Sequence, residues 1–260
     1  MADSTHSGLA EFFRSHLRPG MTVIDVGANV GDVALAAAAA VGASGRVIAY
    51  EPGPAAAREL RERSRHCPQV EIRQVAVSDT CGNARFLVDP TKSTSATLFA
   101  GVAGPNHRAV NVTVCSLDSE LPTLPVGIDV IKIDAQGAEG RILEGARRLL
   151  KRDKPLLVFE LWTPGLQAAE TSGEVLLQRL AGFGYHFHPV NAKGAVGNDE
   201  RIRALLAGAR RSSALNVIGH PRRWPSRRWL AVASPEPCVL PRARRELCRP
   251  WVSATRSPRS

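Results

Sequence analysis

No run of 18 or more apolar residues occurs in the 260-residue chain, so no stretch is long enough to cross a bilayer as a helix. Met1–His16 lacks the basic stretch followed by an apolar one that marks a secretory leader. Cysteine is sparse. Cys67, Cys81, Cys115, Cys238 and Cys248 are scattered, odd in number and never in C-x-x-C spacing. That pattern argues against a structural zinc and a disulfide framework, and it fits a reducing, cytoplasmic setting. There is no internal repeat. The dinucleotide fingerprint G-x-G-x-x-G is missing, as is a Tyr-x-x-x-Lys pair, which disfavours an NAD-dependent dehydrogenase.

Positive charge is unevenly distributed. The net charge is +10, yet ten of the 34 basic and two of the 24 acidic residues lie in Pro221–Ser260, leaving a balance of only +2 for the first 220 residues. Basicity is therefore a property of the tail and says little about what the folded surface attracts. The tail is rich in Pro, Arg and Ser, and its composition predicts disorder. Its arginines could grip phosphate on nucleic acid or anionic lipid. Only Trp224, Trp229 and Trp251 interleave with them, too few aromatics for a stacking platform, so nucleic acid is not the expected partner.

What is present is an alternation of strands and helices. Met21–Val26, Arg46–Glu51, Val70–Val77, Ile128–Asp134 and Pro155–Glu160 have strand composition, as do Ala84–Val88, Val110–Cys115, Tyr185–Val190 and Ser213–Ile218. Helices are predicted over Leu9–Leu17, Asp32–Val41, Ala55–Arg65, Ala138–Leu150 and Ser172–Phe183, with a loop through Trp162–Gly165. Such alternation implies an α/β fold with a mostly parallel sheet and right-handed crossovers. The expected organisation is a short N-terminal helix in 1–20, one domain over 21–220, and the tail from 221.

The most informative stretch is Val23-Ile24-Asp25-Val26-Gly27-Ala28-Asn29-Val30-Gly31-Asp32. A β-branched strand runs into a glycine-bearing turn and then a helix. Gly27 and Gly31 permit a sharp turn and a close approach to a ligand, and Asn29 tolerates a left-handed backbone. Twenty residues beyond Gly31, Glu51 ends the next apolar run, where a carboxylate can hold the two hydroxyls of a ribose. These features describe a site for a nucleoside cofactor.

The spacing Asp25-x-Gly27-x-Asn29-x-Gly31 resembles the first motif of class I S-adenosylmethionine-dependent methyltransferases. With Ala49-Tyr50-Glu51-Pro52, Val75-Ala76-Val77-Ser78-Asp79, Ile131-Lys132-Ile133-Asp134-Ala135-Gln136-Gly137-Ala138-Glu139 and Val158-Phe159-Glu160, in that order, the chain resembles the FkbM methyltransferases from about Leu17 to Ile218. The resemblance implies a Rossmann-like seven-stranded, mostly parallel sheet with helices on both faces and one antiparallel strand near its edge. It implies methyl transfer from S-adenosylmethionine to a hydroxyl of a sugar, glycolipid or polyketide-type small molecule. The family commonly has Glu where this chain has Gln136, so a base or metal-binding role there is set aside while a hydrogen-bonding role stands. No metal is expected.

By the same resemblance, Gly27, Ala28, Asn29 and Gly31 would wrap the methionine part of the cofactor, and Asp25 would meet its ammonium. Glu51, followed by Pro52, would take the ribose. Ala76 and Val77, with Ser78 and Asp79, would lie beside adenine. Lys132 and Asp134 fall two apart on a strand and share a face. Asp134 could contact the ammonium or orient the acceptor, Lys132 could pair with Asp134 or Glu51, and Glu160 could bind or deprotonate the acceptor. Glu139 suits the first turn of a helix. His107, His186 and His188 are further candidates for a base. With few residues before the first strand, a cover over the acceptor must come from Lys92–Arg108, from the loop after Glu160 or from the tail. A silent cofactor-binding protein acting through the tail is the other class of function left open, and oligomeric state is not legible.

Overall fold

The computed structural model describes residues 12, 13, 16–91, 95–189, 206 and 214–221. The chain divides into Met1–Trp224 and Pro225–Ser260, and every described residue lies in the first unit. The predicted disordered tail, apart from Pro221, and the start of the predicted N-terminal helix lie outside the described residues. Phe12, Phe13 and His16 are helical.

The main sheet has seven strands. In chain order they are β1 (Thr22–Val26), β2 (Arg46–Tyr50), β3 (Val70–Arg73), β7 (Val130–Ile133), β8 (Leu156–Trp162), β9 (Tyr185–Pro189) and β10 (Ala214–Pro221). Their order across the sheet is β3-β2-β1-β7-β8-β10-β9. Only β10 runs antiparallel, against both β8 and β9, so the lone reversed strand sits one place in from the edge. Central strands β1, β7 and β8 are buried along nearly their whole length, as a sheet covered by helices on each side requires. Helix α1 (Asp32–Val41) has the predicted bounds, and Ala34, Ala37, Ala38 and Val41 bury completely against the sheet. Helix α2 (Pro54–Arg63) starts on its proline, and α6 (Gly173–Gly182) is capped by the Ser172 hydroxyl, which accepts from the Val175 N–H at 3.3 Å.

Three expectations need correction. The predicted strand Val70–Val77 is two strands in different sheets. β3 ends at Arg73, whose guanidinium turns onto Tyr50, Glu120 and Thr123. The small residues of β4 (Ala76–Val77) then bury against β6 (Arg108–Cys115), which also carries β5 (Gly82–Val88) as an antiparallel partner. The predicted helix Ala138–Leu150 is two helices, α3 (Glu139–Glu144) and α4 (Arg147–Asp153). The break falls at Gly145, where a Cβ would lie 2.1 Å from the Ser78 carbonyl oxygen, so only glycine lets the chain pass. The second helix then takes its own cap from a distance, Asp118 accepting from the Arg148 and Leu149 N–H groups at 2.9 Å each. Finally, Trp162–Gly165 is not a loop: Thr163–Ala168 forms α5, with Pro164 in its first turn.

Candidate active site

Ligands of open α/β sheets bind beyond the carboxyl ends of the strands, and the predicted site residues gather at those ends of β1, β2, β7 and β8. After β1 the backbone enters the left-handed region at every second residue: Gly27 at φ 73°, Asn29 at 48° and Gly31 at 94°. This alternation is the structural content of the motif. Part of it serves the protein itself. A Cβ on Gly27 would lie 2.0 Å from the Asp134 carbonyl oxygen, and one on Gly31 would lie 2.2 Å from Leu60 Cδ1. The turn's N–H groups are also engaged. Those of Gly27 and Ala28 donate to the Tyr50 carbonyl at 3.0 Å, that of Gly31 to Ala28, and that of Asn29 to the Glu51 carboxylate at 2.8 Å.

Glu51 is almost wholly buried and locks this turn to the end of β2. One carboxylate oxygen accepts from Asn29, the other from the Gly53 N–H at 2.7 Å. Burial raises its pKa and the two N–H donors oppose that rise. Each oxygen keeps a further lone pair. Pro52 follows it, half-buried.

Asp25 and Lys132 form a buried pair. The parallel register sets Asp25 beside Lys132 on the adjoining strand, and Nζ lies 3.0 Å from Asp25 Oδ1, with side chains 4% and 0% exposed. Lys132 therefore pairs most closely with Asp25, a partner not expected from sequence, and more distantly with Asp134, one of the two that were. Asp134 stands 4.0 Å away, and no ion pair joins Lys132 to Glu51 among the described residues. The ammonium also donates to the Gly27 carbonyl at 2.9 Å and, more weakly, to that of Val26 at 3.5 Å. Burial pulls the Lys132 pKa down, but the charges of Asp25 and Asp134 outweigh it and hold the ammonium above its ordinary range. Neither Asp25 oxygen accepts a well-directed hydrogen bond among the described residues, and the buried Asn29 Oδ1 is likewise unpartnered.

The second half of the site is held together by Gln136. Its Nε2 donates to Asp134 Oδ1 at 3.1 Å and to Glu160 Oε2 at 3.4 Å, so one amide joins the ends of β7 and β8. A carboxylate at this position would face two others, whereas the amide supplies the donor they need. Gln136 is left-handed, at φ 50°, and its carbonyl accepts from the Thr97 hydroxyl at 3.1 Å. Thr97, fully buried in the segment before β6, was invisible to sequence reading because its loop has no periodicity. It anchors the segment on which Phe99 stacks under the Arg141 guanidinium, 5.3 Å from the ring centroid. Part of the expected cover, Ser95–Arg108, is thereby fixed beside Gln136.

Glu139 is buried completely. Its Oε1 accepts from the N–H groups of Ala135 at 3.0 Å and Gly137 at 3.3 Å, while Oε2 has no partner among the described residues. Burial pushes this carboxyl up to about 7. An unfolded chain releases the same proton near 4.5. The folded protein therefore holds more protons between those values, and stability contributed by Glu139 falls as pH rises through that window, levelling above about 7. The expected size is about 3 kcal/mol. Comparing urea midpoints of Glu139→Gln and the parent from pH 4.5 to 8 checks this: the variant should lack that part of the slope, and equal slopes would refute it.

The remaining candidates lie elsewhere. His107 is a loop staple: Nδ1 accepts from the Gly104 N–H at 2.9 Å and Nε2 meets the Ser95 carbonyl at 3.0 Å. His186 and His188 stand on β9 and both stack with His220 of β10, which the sequence reading did not single out; His188 and His220 meet at 2.9 Å. Among the described residues no group of three or more His, Cys, Asp or Glu side chains is arranged to hold a metal. Ala76 and Val77 bury their side chains in different clusters, Ala76 with Phe86, Val112 and Val114, and Val77 in the main core. The next residue, Ser78, lines a cleft of about 290 Å³ with Asn83, Leu98, Phe99, Val114 and Arg141 among its walls.

Comparison with known proteins fits this geometry. No curated protein matches the sequence significantly. Among solved structures, the methyltransferase FkbM of Methylobacillus flagellatus aligns over 81% of this chain and 50% of its own, at 14% identity and a TM-score of 0.50. A putative rRNA methylase of Clostridium thermocellum aligns over 85% of this chain and 98% of its own, at 9% identity and a TM-score of 0.49. At such identities the likeness concerns the fold, which is Rossmann-like. The methyltransferase FkbM domain matches residues 25–187, from the aspartate of the glycine turn to β9. With more than half of its length matched, the chain belongs to the FkbM methyltransferase family.

Proposed function

We propose that the protein methylates a hydroxyl of a neutral small molecule or glycan, with S-adenosylmethionine as cofactor, and that residues 21–220 form the catalytic domain with 1–20 and 221–260 as flanking segments. The observation that carries this reading is the joining of two sets of groups at one end of the sheet: the Asp25–Lys132 pair under the glycine turn, and the Asp134–Gln136–Glu160 cluster beside it.

The residues fit the cofactor. Among the described residues the buried Asn29 Oδ1 has no hydrogen-bond partner and Asp25 Oδ2 is left free by Lys132, which meets Oδ1; both suit an ammonium group, and Glu51 keeps lone pairs for ribose hydroxyls. Gly27, Ala28 and Gly31 shape the turn around them, and Pro52 continues from Glu51. The cleft at Ser78, reached from the Ala76–Val77 strand, has the mixed apolar and amide lining that an adenine base needs. When bound, S-adenosylmethionine supplies an electrophilic methyl group on a sulfonium.

What the protein adds is placement and a proton acceptor. Lys132 sets the Gly27 carbonyl and offsets the charge of Asp25. Asp134 and Glu160, spaced by one amide, can grip an acceptor hydroxyl and take its proton as the oxygen becomes nucleophilic. Histidine is not needed in that role, since His107 is held by the backbone. The surplus of carboxylates favours a neutral acceptor over a phosphate or a carboxylate. No helix among the described residues is long and apolar enough to cross a membrane, and the scattered cysteines support a cytoplasmic setting.

The test is transfer of tritium from methyl-labelled S-adenosylmethionine into a small-molecule extract of the producing cell. The label is expected in a product that survives mild alkali, as a methyl ether does and a methyl ester does not. Label released by alkali, or retained on a basic nitrogen, would contradict hydroxyl methylation.

A further inference from the structure

Glu139 takes no direct part in the chemistry above, yet its burial is complete and, among the described residues, only one of its two oxygens has a partner. What it holds is the turn Ala135–Gly137. Both N–H donors to Oε1 belong to that turn, one on each side of Gln136. Gln136 has a left-handed backbone, costly for a residue with a Cβ unless its surroundings enforce it. Gly137, at φ 104°, is pressed so closely on Gly165 of α5 that a Cβ would lie 2.5 Å from the Gly165 carbonyl oxygen. Thr97 fixes the Gln136 carbonyl from the other side. The clamp fixes the backbone from which the Gln136 amide reaches Asp134 and Glu160.

We propose that Glu139 is a positioning residue of the acceptor half of the site, acting through Gln136. Its carboxyl clips the two amides that flank Gln136, and the clip aims the side-chain amide that spaces Asp134 from Glu160. The cofactor half has separate supports, Glu51 and Lys132, so loss of the clip disturbs acceptor turnover and leaves cofactor affinity in place. The proposal rests on the methyltransferase reading for its consequence in catalysis, but the clip itself is testable without turnover.

The geometric test is the Gln136 side-chain amide resonance in the full-length protein bound to S-adenosylhomocysteine. The parent and Glu139→Gln, whose amide oxygen can accept the same two N–H bonds, should both show a shifted, slowly exchanging pair. Glu139→Ala should move the pair to the position of a free glutamine amide. Where Glu139→Ala does not fold, Glu139→Met fills the volume without accepting a hydrogen bond and serves instead. A Gln136 signal unchanged in Ala or Met would overturn the clip.

The functional test is a double-mutant cycle on label transfer. Glu139→Ala and Gln136→Ala should each lower transfer at least tenfold, and the double variant should be no worse than Gln136→Ala alone. Affinity for S-adenosylhomocysteine should stay within about threefold. Losses that multiply, or cofactor affinity falling in step with turnover, would show a general structural role and overturn the proposal. Should the parent transfer no label while binding S-adenosylhomocysteine, the reading of the reaction fails, and the Gln136 resonance still decides the clip.

Discussion

Lys132→Met is expected to destabilise the protein by about 3–5 kcal/mol in urea unfolding, because it leaves Asp25 as an uncompensated charge in a site with no solvent exposure. The two side chains meet at 3.0 Å across adjacent central strands, and the ammonium is also the donor to the Gly27 carbonyl. Removing it strands a carboxylate and an acceptor together. The companion variant Asp25→Asn/Lys132→Met isolates the cause. It has no charge left at either position of the pair, so it should recover at least half of the lost stability while still binding cofactor poorly, since the groups offered to an ammonium are changed. A loss under 1 kcal/mol for Lys132→Met, or a double variant no more stable than the single, would mean that the pair is not the electrostatic centre of the turn.

Gly27→Ala should abolish cofactor binding, with affinity for S-adenosylhomocysteine reduced at least a hundredfold. Two costs combine. A left-handed φ of 73° is disfavoured for alanine by about 1–2 kcal/mol. The larger cost is collision, since the new methyl would lie 2.0 Å from the Asp134 carbonyl oxygen, so the turn and the end of β7 must separate. Gly42 supplies the control. It has φ 65° and ψ −170°, a region open essentially to glycine alone, with nothing within 4 Å of its would-be Cβ, so Gly42→Ala carries a backbone cost at least as large and no collision. It should lower stability by about 1–3 kcal/mol and leave cofactor affinity within twofold. Equal behaviour of the two variants would show that backbone strain, not the approach of β1 to β7, governs the site.

These expectations turn on contacts of two kinds, and only one kind is readable along the chain. The strand, turn and helix from Val23 to Val41 were legible because hydrophobic pattern, glycine spacing and the alanine run all point the same way. That Lys132 and Asp134 share a face followed from the period of a strand. That Lys132 chooses Asp25 did not, because the choice depends on the register of β7 against β1, a contact between residues 107 positions apart. The break at Gly145 was hidden for the same reason: locally the segment is a good helix, and what ends it is the Ser78 carbonyl and the distant cap from Asp118. The second sheet escaped notice because Val70–Val77 reads as one apolar strand until β6 is there to take its second half. Gln136 is the instructive case in the site itself. Its residue type marked it as unable to act as a base, and the structure shows an amide doing what a third carboxylate could not, bridging two carboxylates by donating to both.

The central claim is that the glycine turn, Asp25 and Glu51 form a site for the methyl donor, and it is tested most directly by calorimetry on the full-length protein with S-adenosylhomocysteine and, separately, NAD. S-adenosylhomocysteine should bind at one site per chain and NAD should give no heat of binding. Binding of NAD in the absence of any binding of S-adenosylhomocysteine would contradict it.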